Sequence, residues 1–158
     1  REGVSREVRY RARSEAALLA EFWEGARQYD TFVAWEGRTL VVPFLLHRSV
    51  ACGVQPTVPL MGSRYLSRQQ PPWHVDLADE CTFYGALAPR PSLAAICAAY
   101  GISVAAEAGE DEAGAASFAR GPAPDHIERT AATLRATALL YERWLTHLAP
   151  PEFLNKLD

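Results

Sequence analysis

Thr31–Gly53, TFVAWEGRTLVVPFLLHRSVACG, carries the pattern on which the fold turns. Thr31–Trp35 is β-branched and aromatic, so it reads as a buried strand. Glu36-Gly37-Arg38 breaks the run and reads as a turn. Pro43 suits the first turn of a helix, and Gly53 suits its end. A strand passing through a turn into a helix is the unit of an α/β fold.

The flanking sequence repeats that alternation. Upstream, Glu7–Ala12 alternates polar and apolar residues, as a short strand does. Ser14 can cap a helix over Glu15–Ala26, with Glu15 at its positive end. Leu18, Leu19, Phe22 and Trp23 form the apolar stripe of that helix. Downstream, Arg64–Trp73 is a loop rich in Arg, Gln and Pro, and Trp73–Leu77 reads as another short strand. Ser92 caps a helix over Leu93–Tyr100, which Gly101 ends. Glu107–Gly114 is an acidic loop. Asp125 caps the longest helix, which runs to about His147. Its expected stripe is Ile127, Ala131, Leu134, Tyr141, Trp144 and Leu148. Pro150 and Pro151 stop it. Strands alternating with helices predict an α/β layered fold.

Composition bounds the function. The chain has 158 residues, 49% hydrophobic and 22% charged, which is enough for one domain, residues 1–158, with its own core. No apolar run reaches the ~18–20 residues of a membrane span, so no membrane partner is expected. The net charge of −3 argues against a dedicated duplex binder. Lys156 is the only lysine among 16 basic residues, so the chain is arginine-biased. Arginine makes planar, bidentate contacts to phosphate and carboxylate. Arg1, Arg6, Arg9, Arg11 and Arg13 crowd the start, where a solvated strand edge is the plainer reading. Cys52, Cys81 and Cys97 are odd in number and lack metal-site spacing. They read as reduced thiols of a cytoplasmic protein, with no zinc site.

Ordered motifs then give a family likeness. Trp35-Glu36-Gly37-Arg38-Thr39-Leu40-Val41-Val42-Pro43 resembles the N-G-R-x-F-D-x-P segment of the predicted polymerase-B-like 3′–5′ exonucleases. These belong to the DEDD branch of the ribonuclease-H-like superfamily. The likeness continues through Arg64-Tyr65-Leu66, His74-Val75-Asp76-Leu77, Thr82-Phe83-Tyr84-Gly85 and Arg90-Pro91-Ser92-Leu93. It closes on Arg135-Ala136-Thr137 and Leu140-Tyr141-Glu142-Arg143-Trp144. The resemblance implies a three-layer ribonuclease-H-like fold.

It also implies a chemistry. Such exonucleases hold two divalent ions about 3.5–4 Å apart with four carboxylates. Hard cations need oxygen donors, preferably anionic ones. Here the expected ligand positions have changed. Val41 stands where the resemblance expects the Asp of N-G-R-x-F-D, and Glu36 stands at its Asn. Arg129 to Thr137 aligns with Y-x-x-R-D-V-x-A-T, so Thr133 takes the place of Asp and Arg129 that of Tyr. Ala94 replaces the Asp of an S-L-D segment. No D-x-E precedes Asp30. That strand lies upstream of Arg1 or is missing, and in the second case the sheet lacks its first strands and its open edge calls for a protein partner or a second copy.

The implied reading is a degenerate exonuclease with no catalytic residue, no metal and no cofactor. Its site positions are Val41, Thr133, Arg129 and Glu36. The alternative is an active enzyme using Mg²⁺ or Mn²⁺ on Glu36, Asp76, Asp79 and upstream acids, although Asp76 reads as structural. Glu107, Glu110, Asp111 and Glu112 read as a solvated loop, and His74 as a core or rim residue. Single-stranded nucleic acid is a candidate ligand, with Arg38, Arg64, Tyr65, Arg68 and Arg129 as candidate contacts. The plainer reading of Arg129 is a helix pair with Asp125. Arg64–Trp73 reads equally as an ordinary loop, and a structural subunit without nucleic-acid contact stays open. Arg64, Tyr65 and Arg68, near Gln69, Gln70 and Trp73, interleave bases and aromatics as single-strand binders do.

Overall fold

The computed structural model describes residues 14–103 and 124–155, with side chains in the last long helix from residue 128 onward. The expected strand Glu7–Ala12, the arginines of residues 1–13, the acidic loop Glu107–Gly114, Lys156 and the side chain of Ile127 lie outside the described residues.

Chain order begins with α1, Glu15–Ala26. Its boundaries match the sequence reading, because the Ser14 hydroxyl accepts from the amide of Ala17 and Glu15 sits in the first turn. Leu19, Trp23 and Ala26 are its buried face. Strand β1, Thr31–Ala34, follows and pairs in parallel with β2, Trp73–Asp76. The register aligns Thr31 with Trp73 and Ala34 with Asp76. The amide of Trp73 also donates to the carbonyl of Asp30 at 2.7 Å. Parallel strands need a crossover. Here it is a π-helical turn, Gly37–Val41, running into α2, Val42–Ala51, and then a loop with a 3₁₀ turn at Leu66–Arg68.

Helix α3, Leu77–Cys81, grows straight from β2. Asp76 makes this junction, since its carboxylate accepts from the amide of Ala78 at 3.0 Å. Helices α4, Leu93–Ala99, α5, Pro124–His147, and α6, Pro151–Leu154, complete the described chain.

The small sheet separates two apolar clusters. One joins β2, α3, α4, α5 and α6 around Val75, Leu77, Leu140, Trp144 and Phe153. The other joins α1, α2 and the following loop around Trp23, Val42 and Leu60. Val33 packs into the first and Phe32 into the second, as strand alternation requires. Helices therefore cover both faces of a parallel sheet, as α/β predicts. The Glu15 carboxylate binds Arg48 from α1 to α2, with Arg48 Nε donating at 2.6 Å. Trp23 Nε1 donates to the Ser49 hydroxyl at 2.8 Å in the same interface. No described helix is long and apolar enough to cross a membrane.

Several expectations are corrected. Helix α5 buries Ala132, Ala136, Leu140 and Trp144, one residue every four, while Leu134 is 65% exposed and Leu148 is also exposed. The helix approaches the core through small alanines at 132 and 136 and through Leu140 and Trp144, while Leu134 and Leu139 face outward. Asp125 lies in the first turn of α5, one residue after Pro124, rather than ahead of it. Pro150 and Pro151 open α6 as well as closing α5, since proline suits a first helical turn. Trp35 follows β1, and Leu77 belongs to α3. Glu36-Gly37-Arg38 is the entry to the π turn, with Glu36 in the left-handed region at φ 55°. The three cysteines are free thiols, but Cys52 is only partly buried. Burial pushes the Cys81 thiol up to about 11.

Candidate functional site

A cleft of about 790 Å³ opens at the carboxyl end of β1, between α2, α4 and α5. That end is where parallel α/β sheets hold ligands. Val41 reaches it from the π turn, Ala94 from α4 and Thr133 from α5. The three positions where the resemblance expects an Asp thus meet in one place, and Glu36 lines it too, whereas Arg129 does not. Phe22, Phe32, Trp35, Leu45, Leu60 and Leu134 are among the apolar side chains of the remaining lining. Its polar groups are few: Glu36, His74, Ser92, Thr133 and Thr137. The Thr137 hydroxyl donates to the carbonyl of Thr133 at 2.9 Å.

The nearby acids are engaged. Asp76 accepts from the amide of Arg38 at 2.8 Å with one oxygen and caps α3 with the other. Asp79, almost fully buried, accepts from Arg64 Nε and Nη2 at 2.9 and 2.7 Å. Its first oxygen also accepts from Arg90 Nη2 at 2.8 Å. These contacts, the Arg64 hydrogen bonds first among them, hold the Asp79 carboxyl below the usual carboxylate range. The Arg64 guanidinium is pushed up by the same pair. Glu36 lies 3.4 Å from Arg90 Nη1. Among the described residues no cluster of three or more His, Cys, Asp or Glu is placed to hold a metal ion. The donor set of the cleft, one carboxylate with hydroxyls and an imidazole, does not fit a pair of divalent ions.

His74 sits behind Glu36. Its ring Nδ1 carries the proton and donates to the carbonyl of Leu60 at 3.0 Å, and Nε2 is buried without a hydrogen-bond partner among the described residues. Gln69 holds the backbone of His74 on both sides, accepting from its amide at 2.8 Å and donating to its carbonyl at 3.1 Å.

The arginines singled out from sequence part company. Arg38 donates to the carbonyls of Gly62 and Ser63, so its side chain ties down the loop before the 3₁₀ turn. Arg129 is half-buried on α5, engaged within the protein, and outside the lining of the cleft. Arg64, Tyr65 and Arg68 do lie together. The Arg68 guanidinium stands 5.4 Å over the Tyr65 ring, and Arg64 stands 5.8 Å over Tyr84. The sequence reading missed Tyr84 and Arg90 as partners of that group. It also missed the clamp by Gln69. Their contacts span up to 54 residues of chain and leave no periodic trace.

The comparisons fit this architecture. No curated protein and no solved structure matches the chain. A family model described as a predicted 3′–5′ exonuclease related to the exonuclease domain of PolB matches residues 5–105. That span covers β1, the π turn, α2, β2 and α3, and it contains Glu36, Val41 and Ala94. The chain belongs to the family of predicted 3′–5′ exonucleases related to the exonuclease domain of PolB.

Proposed function

We propose that residues 1–158 form one ribonuclease-H-like domain that keeps an exonuclease scaffold without metal-dependent cleavage and works as a nucleic-acid-binding or partner-docking module. One observation supports this reading above the others. Val41, Ala94 and Thr133 converge on a single cleft and bring no carboxylate to it. Valine and alanine have no donor atom, and a threonine hydroxyl is neutral. Four carboxylates are what two closely spaced cations need. Of the other candidate acids, Asp76 caps a helix, Asp79 anchors two arginines, and Glu36 is the one carboxylate of the described lining, 3.4 Å from Arg90 Nη1.

The test is a nuclease assay on 3′-labelled single-stranded DNA with Mg²⁺ or Mn²⁺. The expected result is an intact substrate at every metal concentration. Metal-dependent trimming by the purified protein, abolished by Glu36→Ala, would overturn the proposal in favour of an active exonuclease.

A further inference from the structure

The turn after α3 holds a residue that the fold itself does not explain. Phe83, Tyr84 and Gly85 are three successive residues with positive φ, at 52°, 58° and 97°. Only glycine occupies that region without strain. Tyr84 has an internal reason to be there. Its hydroxyl donates to Glu80 and accepts from the amide of Leu66, and its own amide donates to the carbonyl of Asp79 at 2.7 Å. Phe83 has no comparable reason. Its side chain is 60% exposed and makes no ring contact among the described residues. The Phe83 ring is thus a bulky, mostly exposed group on left-handed backbone, with no aromatic partner among the described residues. Strain of this kind collects at functional surfaces.

The residues packed on Tyr84, the chain neighbour of Phe83, point to a ligand class. Tyr65, 46% exposed, lies 5.0 Å from the Tyr84 ring. Arg68 and Arg64 cover these two rings, as described above. The acids of the region do not compete at the surface. Asp79 is buried between Arg64 and Arg90, and Glu80 is bound to the Tyr84 hydroxyl. The outward groups are therefore flat rings and guanidinium groups. Rings stack on unpaired bases, and guanidinium pairs with phosphate. A duplex offers its phosphates but keeps its base faces stacked away.

We propose that the surface formed by Tyr65, Phe83, Tyr84, Arg64 and Arg68 is a contact site for single-stranded nucleic acid, separate from the cleft. It rests on the nucleic-acid-binding reading given above and deepens it by placing the contact. None of the five residues lines the cleft. Stacking together with phosphate pairing is common to DNA and RNA, so the two sources are separated by experiment.

The experiment measures fluorescence anisotropy of labelled (dT)₂₀ and (rU)₂₀ with the full chain, at two salt concentrations. Phe83→Asn removes the ring while keeping a residue that tolerates left-handed backbone. Arg68→Ala removes an exposed charge and serves as an independent second variant. Each is expected to weaken binding about tenfold. Phe83→Asn is expected to melt no lower than the parent protein, because its ring has no role in folding. Preference for (dT)₂₀ or (rU)₂₀ assigns the site to DNA or RNA. If the parent chain binds and both variants bind as tightly, this surface is not the contact; the broader reading then stands, and Arg129→Ala tests another location. A lower melting point for Phe83→Asn also overturns the proposal, since the ring then serves the fold. If the parent chain binds neither strand at low salt, the proposal and the nucleic-acid-binding reading fall together.

Discussion

Gly37 lies directly against His74, and a methyl group added at position 37 would stand 2.3 Å from the imidazole Nε2. The Cβ of Ala34 would be 2.8 Å away on another side. The ring cannot swing clear, because Leu60 holds Nδ1 and Gln69 holds the backbone. Gly37→Ala is therefore expected to destabilise the protein by about 1–3 kcal/mol. A shift of the urea midpoint without a change in slope would show it.

The same contact makes stability depend on pH. Burial pulls the His74 pKa below the ordinary imidazole range. Asp76 and Asp79 act against burial, whereas Arg38 reinforces it. The folded protein thus favours the neutral ring, while the unfolded chain takes up a proton near pH 6.5. The contribution is complete above about pH 6.5, declines as pH falls from there toward the lowered folded value, and then levels off. Urea melts between pH 5 and 8 should show this decline, and His74→Gln should flatten it.

Asp79 behaves in the opposite chemical sense. Its pKa is lowered by Arg64, so its contribution is full above the unfolded carboxylate value near 3.9 and is lost as pH falls through the folded one. Asp79→Asn leaves Arg64 and Arg90 without their shared carboxylate. It is expected to cost about 1–3 kcal/mol at pH 7, because charge-assisted hydrogen bonds are lost while both arginines keep partial access to water. Arg64→Ala should cost less, about 1 kcal/mol, because the Arg64 side chain is 49% exposed and Arg90 remains. Chemical denaturation of the three proteins at pH 7 and pH 3 checks both numbers and the convergence at low pH.

Restoring carboxylates to the cleft should create cation affinity. The double variant Val41→Asp with Thr133→Asp places two anions on the walls of one cavity, near Glu36. Titration calorimetry with Mn²⁺ is expected to give a dissociation constant on the order of 10⁻³ M for the double variant, as for weak oxygen-ligand sites, and no measurable heat for the parent. The variant should melt lower than the parent without metal and recover when Mn²⁺ is added.

Local signals in the sequence were read well where one residue dictates one backbone feature. Ser14 and Ser92 placed the starts of α1 and α4, and the β-branched run from Thr31 placed β1. Hydrophobic periodicity misjudged α5, because the residues that touch the core there include alanines whose small size matters more than their hydropathy. The left-handed Glu36 was hidden as well, since glutamate gives no hint of it where the family's Asn would. The shared cleft became legible only by setting Val41, Ala94 and Thr133 against the family's carboxylates. The network of Arg64, Asp79 and Arg90 depends on three-dimensional proximity alone, and no spacing rule encodes it.

The amide of Gln69 has a wider effect than its two bonds. It pairs with His74 as a neighbouring backbone would, so a single side chain seals the outer margin of β2. That position on β2 is closed to a further strand, whereas Thr31–Ala34 carries no strand on its other flank among the described residues. Gln69→Ala is expected to free the His74 amide and carbonyl for pairing.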